Sequence, residues 1–164
     1  LIYVENIRRE WSAIDPDNAD YFAANAAAYS EKILAVDTRL EEALSVLPED
    51  NRVLVTCEGA FSYLTNDYGL SELYLWAINS ESQGSPQKIA KVIEVVKEKQ
   101  IPAVFCESTV DPKVQREVVQ ATGATLGGVL YVDSLSTTDG PASTYLDLLE
   151  HTANTIIAGL TNSQ

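Results

Sequence analysis

The chain has 164 residues, 46% hydrophobic and 21% charged, enough for one domain with a core of its own. Its 24 acidic against 11 basic residues give a formal net charge of −13, which argues against nucleic acid and anionic membrane surfaces as partners. No apolar run approaches the roughly 20 residues of a bilayer-spanning helix, no secretory leader opens the chain, and the complete lack of methionine predicts a processed or truncated piece of a longer protein.

Val4, Ile7, Trp11 and Ile14 recur at helical spacing and predict an amphipathic helix over 3–14. "DPDN" at 15–18 breaks it with proline and turn formers. Phe22, Ala26, Tyr29, Ile33, Val36, Leu40, Leu44 and Leu47 then repeat every three or four residues, with no glycine or proline before Pro48. That predicts a helix over 19–47 on the order of 40 Å long, more than a small domain needs, and suited to bracing two lobes.

From residue 52 the pattern alternates. "RVLVT" (52–56) predicts a strand, "AFSYLTNDYG" (60–69) a helix stopped by Gly69, and "ELYLWA" (72–77) a strand, followed by the loop "INSESQGSP" (78–86). Ser85 and Pro86 cap and open a helix to Lys99. "IPAVFCE" (101–107) predicts a strand, and 111–123 a helix with Asp111 as its cap and Gly123 as its stop. "ATLGGVLYVD" (124–133) predicts the fourth strand, and 143–160 the closing helix. Four strands alternating with helices predict an α/β domain with a four-stranded, mainly parallel sheet flanked by helices. Sites in such sheets lie beyond the carboxyl ends of the strands.

Cys57, Glu58, Cys106, Glu107 and Asp133 all fall at those ends. If the first and third strands are neighbours, Cys57 and Cys106 meet as a disulfide, which belongs to an oxidising compartment; the alternative is two buried thiols packed as small hydrophobes. Glu58, Glu107 and Asp133 fit three chemistries: an acid/base pair, hard oxygen ligands for a cation, or plain helix caps and solvated strand ends. The lone histidine, His151, lies inside the last helix, away from the strand ends, which disfavours Cys–His or Ser–His catalysis. No glycine-rich phosphate loop follows any strand.

Four consecutive segments carry a resemblance. "RVLVTCEGAFSYLTNDYGL", "LYLWAINSESQGSPQKIAKVIE", "IPAVFCESTVDPKV" and "LYVDSLS" resemble, in order, motifs of the carboxy-terminal lobe of manganese/zinc-binding receptors that serve bacterial ABC importers. The resemblance covers essentially the whole chain. It implies half of a two-lobed metal receptor: residues 1–18 as the end of the amino-terminal lobe's connection, 19–47 as the long linking helix, and 48–164 as the carboxy-terminal α/β lobe. It also implies a non-enzymatic binding protein in the periplasm or on the outer face of the cytoplasmic membrane. Its partners would be the permease of the importer and its own amino-terminal lobe, with a membrane anchor through the missing amino terminus.

By motif, the metal ligands here are Glu58 and Asp133, with two histidines outside this chain; Glu107 is near the site but not assigned as a ligand. Zinc-type relatives usually carry histidine where this chain has Glu58, so the cargo implied is Mn(II), with Zn(II) as the second candidate; carboxylate suits the harder ion. A Cys57–Cys106 bridge would tie the Glu58 and Glu107 strand ends together, so that its reduction loosens Glu58 and weakens metal retention. The rivals are a hydrolase using Glu58 and Asp133 as acid and base, and an adhesin or interaction module without a working metal site.

Overall fold

The computed structural model describes residues 1–80 and 84–161, so residues 81–83 of the predicted 78–86 loop lie outside the described residues. The chain divides into two compact units, Leu1–Arg39 and Leu40–Gln164.

In the first unit, α1 (Ile2–Ile14) is followed by a single 3-10 turn at Pro16–Asn18 and by the start of α2 (Ala19–Ser45). Proline opens the turn, and Asn18 Nδ2 donates to Asp15 Oδ2 across it at 2.7 Å. Trp11 meets Phe22 edge to face, with centroids 5.6 Å apart. Ile7, Trp11 and Ile14 nevertheless remain exposed, so the apolar stripe of α1 is not spent within this unit.

The second unit is α/β. In chain order it holds β1 (Val53–Gly59), α3 (Ser62–Asp67), β2 (Ser71–Ala77), α4 (Pro86–Glu98), β3 (Ala103–Glu107), α5 (Lys113–Thr122), β4 (Thr125–Leu130) and α6 (Tyr145–Thr161). β1 pairs with β2 and β3 with β4, both in parallel. The parallel architecture is the predicted one, but the strands form two two-stranded ladders rather than one continuous sheet of four. β1 and β3 still run side by side: the Cα atoms of Cys57 and Cys106 are 4.9 Å apart. Between them the buried Gln115 amide, from α5, donates to Phe105 O at 2.8 Å and to Val55 O at 3.5 Å. A side chain thus takes up carbonyls of both central strands.

β3 is buried at every position, as a strand covered on both faces must be. Val53, Val55, Cys57, Val104 and Cys106 pack with Val92 and Val96 of α4 and Val114 and Val118 of α5. Phe105 points to α6, where its ring lies so close to Gly127 and Gly159 that a Cβ at either position would come within 2.5 Å of it. The β3–β4 register shifts at that point, Gly127 being the residue passed over.

Helix ends follow their local chemistry. Ser85 Oγ accepts from Lys88 N at 3.2 Å, with Pro86 in the first turn, as predicted. Asp111 acts one residue earlier than predicted: α5 starts at Lys113, and Asp111 Oδ1 accepts its N–H at 3.0 Å. Gly123 ends α5 at φ +83°, a conformation that glycine adopts at least cost. Thr144 and Asp147 form a reciprocal capping box at the start of α6, which holds the Asp147 carboxyl below its usual range. Among the described residues no helix is long and apolar enough to cross a membrane.

Candidate metal-binding edge

β1 runs through Gly59, so Glu58 is the penultimate residue of the strand rather than the start of a loop. Its register partner on β2 is Trp76. Side chains of paired residues share a face, and the indole Nε1 donates to Glu58 Oε1 at 3.3 Å. On the other flank the Glu58 backbone N–H donates to the carboxyl group of Glu107, at 3.3 Å to Oε1 and 3.2 Å to Oε2. Glu58 is therefore fixed from both neighbouring strands.

Glu107 itself is only 1% exposed. Burial is the chief reason that its carboxyl is pushed up from 4.5 to about 7, with the nearby Glu58 charge adding to the rise and backbone N–H groups opposing it. The solvated strand end considered for Glu107 is not what the fold makes of it. Beside it a cavity of about 360 Å³ is lined by Ser108, Arg116, Val129 and Tyr131 among others, but neither Glu58 nor Asp133 lines it.

Cys57 and Cys106 form a disulfide. The two sulfurs and Glu107 lie within 4.8 Å of one another, but sulfurs bonded to each other offer no thiolate, so this cluster is no metal site.

Asp133 departs from prediction. β4 ends at Leu130, three residues short, because the Thr152 hydroxyl on α6 takes both backbone groups of Tyr131, accepting from its N–H at 3.3 Å and donating to its C=O at 3.2 Å. Asp133 is consequently exposed in the segment between β4 and α6. Among the described residues no hydrogen bond joins it to Glu58, but the edge is shared: Ser134 Oγ lies 3.2 Å from Ser108 Oγ, next to Glu107. His151 stays within α6, its Nε2 3.1 Å from Val129 O and its ring edge-on to Tyr131 at 5.4 Å, so it is not part of the carboxylate edge.

Sequence reasoning did not assign Trp76, Gln115 or Ser108 to this region. For Trp76 the signal was partial: aligning the ends of the first two predicted strands sets it opposite Val55, and only the observed extension of β1 to Gly59 brings it opposite Glu58. For Gln115, a polar residue on the inner face of an amphipathic helix was the only clue.

A family profile described as zinc-uptake complex component A, periplasmic (ZnuA), matches residues 1–159. The iron-binding protein YfeA of Yersinia pestis is 52% identical over 159 residues, which are 97% of this chain and 51% of that protein. The manganese-binding lipoprotein MntA of Halalkalibacterium halodurans is 34% identical over 158 residues, 96% of this chain and 53% of that one. The chain spans about half the length of these curated relatives. Among solved structures, the Mn-bound periplasmic metal-binding protein of Candidatus Liberibacter asiaticus superposes with a TM-score of 0.85 at 42% identity, over 97% of this chain and 59% of that one. The periplasmic zinc-binding protein TroA of Treponema pallidum shares the fold, with a TM-score of 0.82 at 24% identity over 95% of this chain and 58% of that one.

Proposed function

Because the chain belongs to the zinc-uptake complex component A family, we propose that it is the carboxy-terminal part of an extracytoplasmic receptor that captures a divalent transition-metal cation for an ABC importer. The observation that carries this reading is the way Glu58 is presented: a carboxylate at a strand's carboxyl end, its backbone held by Glu107 and one oxygen held by Trp76. Such outer partners orient a ligand before the ion arrives.

In this proposal Glu58 and Asp133 supply the oxygen ligands of this half. Residues 1–18 lead from the amino-terminal lobe, 19–47 link the lobes, and 48–164 form the carboxy-terminal lobe. The amino-terminal half contributes the histidines, the membrane anchor lies upstream, and the permease receives the metal. The cargo is Mn(II), with Zn(II) second: two carboxylates favour the harder ion, and selectivity must come from ligand type and geometry because manganese binds most weakly of the first-row divalent series. The names of the relatives support a transition-metal cargo, since they are described as iron-binding, manganese-binding and Mn-bound. The protein binds and hands over an ion rather than catalysing a reaction. The hydrolase reading has less support: the cavity beside Glu107 is lined by neither carboxylate it would use.

Calorimetric titration of the full-length receptor tests the proposal. Glu58→Ala and Asp133→Ala should each lower Mn(II) affinity by more than the roughly 10–100-fold that loss of an outer hydrogen-bond partner costs. Affinity unchanged in either variant removes that residue from the ligand set.

A further inference from the structure

Among the described residues β4 pairs with β3 alone, so its other side is a strand edge. An unpaired edge offers its N–H and C=O groups to any other strand. The face beside this edge is also apolar and open, with Leu126 39% and Val129 44% exposed. Charge or proline blunts many such edges, but β4, TLGGVL, contains neither. The register shift at Gly127 disturbs only its first half. In the second half Leu130 turns its C=O towards β3, where it accepts from Ser108 N at 2.9 Å. Its neighbours Val129 and Tyr131 therefore turn their backbone groups outward.

Those outward groups meet α6. Val129 O lies 3.1 Å from His151 Nε2, and because a carbonyl only accepts, Nε2 carries the proton and donates it. The next residue of the helix, Thr152, takes both the N–H and the C=O of Tyr131. Gly128 lets the helix come this close: its φ is +137°, and a Cβ there would lie 2.7 Å from Thr155 Cγ2. His151 is half-buried and Thr152 buried in this position.

From these contacts we infer that His151 and Thr152 guard the edge of β4, keeping a second copy of this chain from adding its own β4 there. The lone histidine, which the proposed metal function leaves unused, is one half of that guard. Two copies meeting edge to edge would build their ladder from Val129 O and the Tyr131 N–H and C=O. They would also cover Leu126 and Val129, the apolar side chains now exposed. With the outward groups already bonded within the chain, they are not open to a partner strand.

The test uses the receptor at the full length of its relatives, at rising concentrations, with size read by chromatography and light scattering. Thr152→Val keeps the volume and removes the hydroxyl, and His151→Leu removes the ring donor. Together they should shift the protein from monomer to dimers and larger species as concentration rises. Adding Val129→Lys places a charge beside the opened edge and should restore the monomer. That rescue separates an opened edge from a general loss of stability, which a charge on β4 does not repair. A folded double variant that stays monomeric overturns the inference. So does association that Val129→Lys leaves unchanged, or a wild type that already associates and becomes monomeric with Val129→Lys. If the double variant does not fold, Thr152→Val alone decides on the same readings.

Discussion

Glu107 shows what burial does to a single carboxyl. Its value rises from 4.5 to about 7, so between those limits the folded, metal-free chain holds a proton that the unfolded chain has released. Stability therefore falls as pH rises through that window and levels off above it. A shift of this size corresponds to about 3 kcal/mol. Urea unfolding of metal-free protein at pH 5 and pH 8 should show that loss, and Glu107→Gln should abolish the slope and exceed wild type at pH 8. An unchanged slope in the variant would assign the pH dependence to other groups. The buried Gln115 amide is a second polar group between the central strands: its Nε2 donates to the Phe105 and Val55 carbonyls, whereas its Oε1 is buried without a partner among the described residues.

At the scale of elements, two contacts hold the site's scaffold. Gly159 lets α6 approach the Phe105 ring, where a Cβ would lie 2.5 Å from Cζ. Gly159→Val should lower the unfolding free energy by about 2 kcal/mol through overpacking, read as a lower urea midpoint at unchanged slope; equal stability would mean that α6 shifts freely. The Cys57–Cys106 disulfide joins β1 to β3 across 49 residues of sequence. A closed loop of that length contributes about 4 kcal/mol in the chain-entropy account. Because Glu58 follows Cys57 directly, reduction should also weaken Mn(II) retention by the full-length receptor, and equal affinity in both redox states would contradict this coupling.

These elements also show what the sequence made legible. Apolar runs and Pro, Ser and Gly punctuation located every strand and helix of the second unit, because each rule is local. The early end of β4 was not legible, since it depends on Thr152 from a helix more than twenty residues away taking the Tyr131 backbone. Nor was the split into two ladders, where the side chains of Gln115 and Glu107 take up backbone groups between β1 and β3. Glu58 was placed correctly at the sheet edge, whereas the burial of Glu107 was not, because a glutamate beside serine reads as a turn until the neighbouring strand covers it.

For the whole molecule, a net charge of −13 favours cationic over anionic ligands but selects none of them. The central claim is that a cation site needs both halves of the receptor, with Glu58 and Asp133 as this half's share. Thermal unfolding of the receptor at the full length of its relatives, and of residues 1–164 alone, each titrated with Mn(II) and Zn(II), tests it most directly. A ligand at a hundred times its Kd stabilises the folded state by about 2.7 kcal/mol. The account predicts a clear rise in Tm for the full-length protein and none for residues 1–164. No response to either metal at full length would contradict it and return the chain to the carboxylate hydrolase or the interaction module.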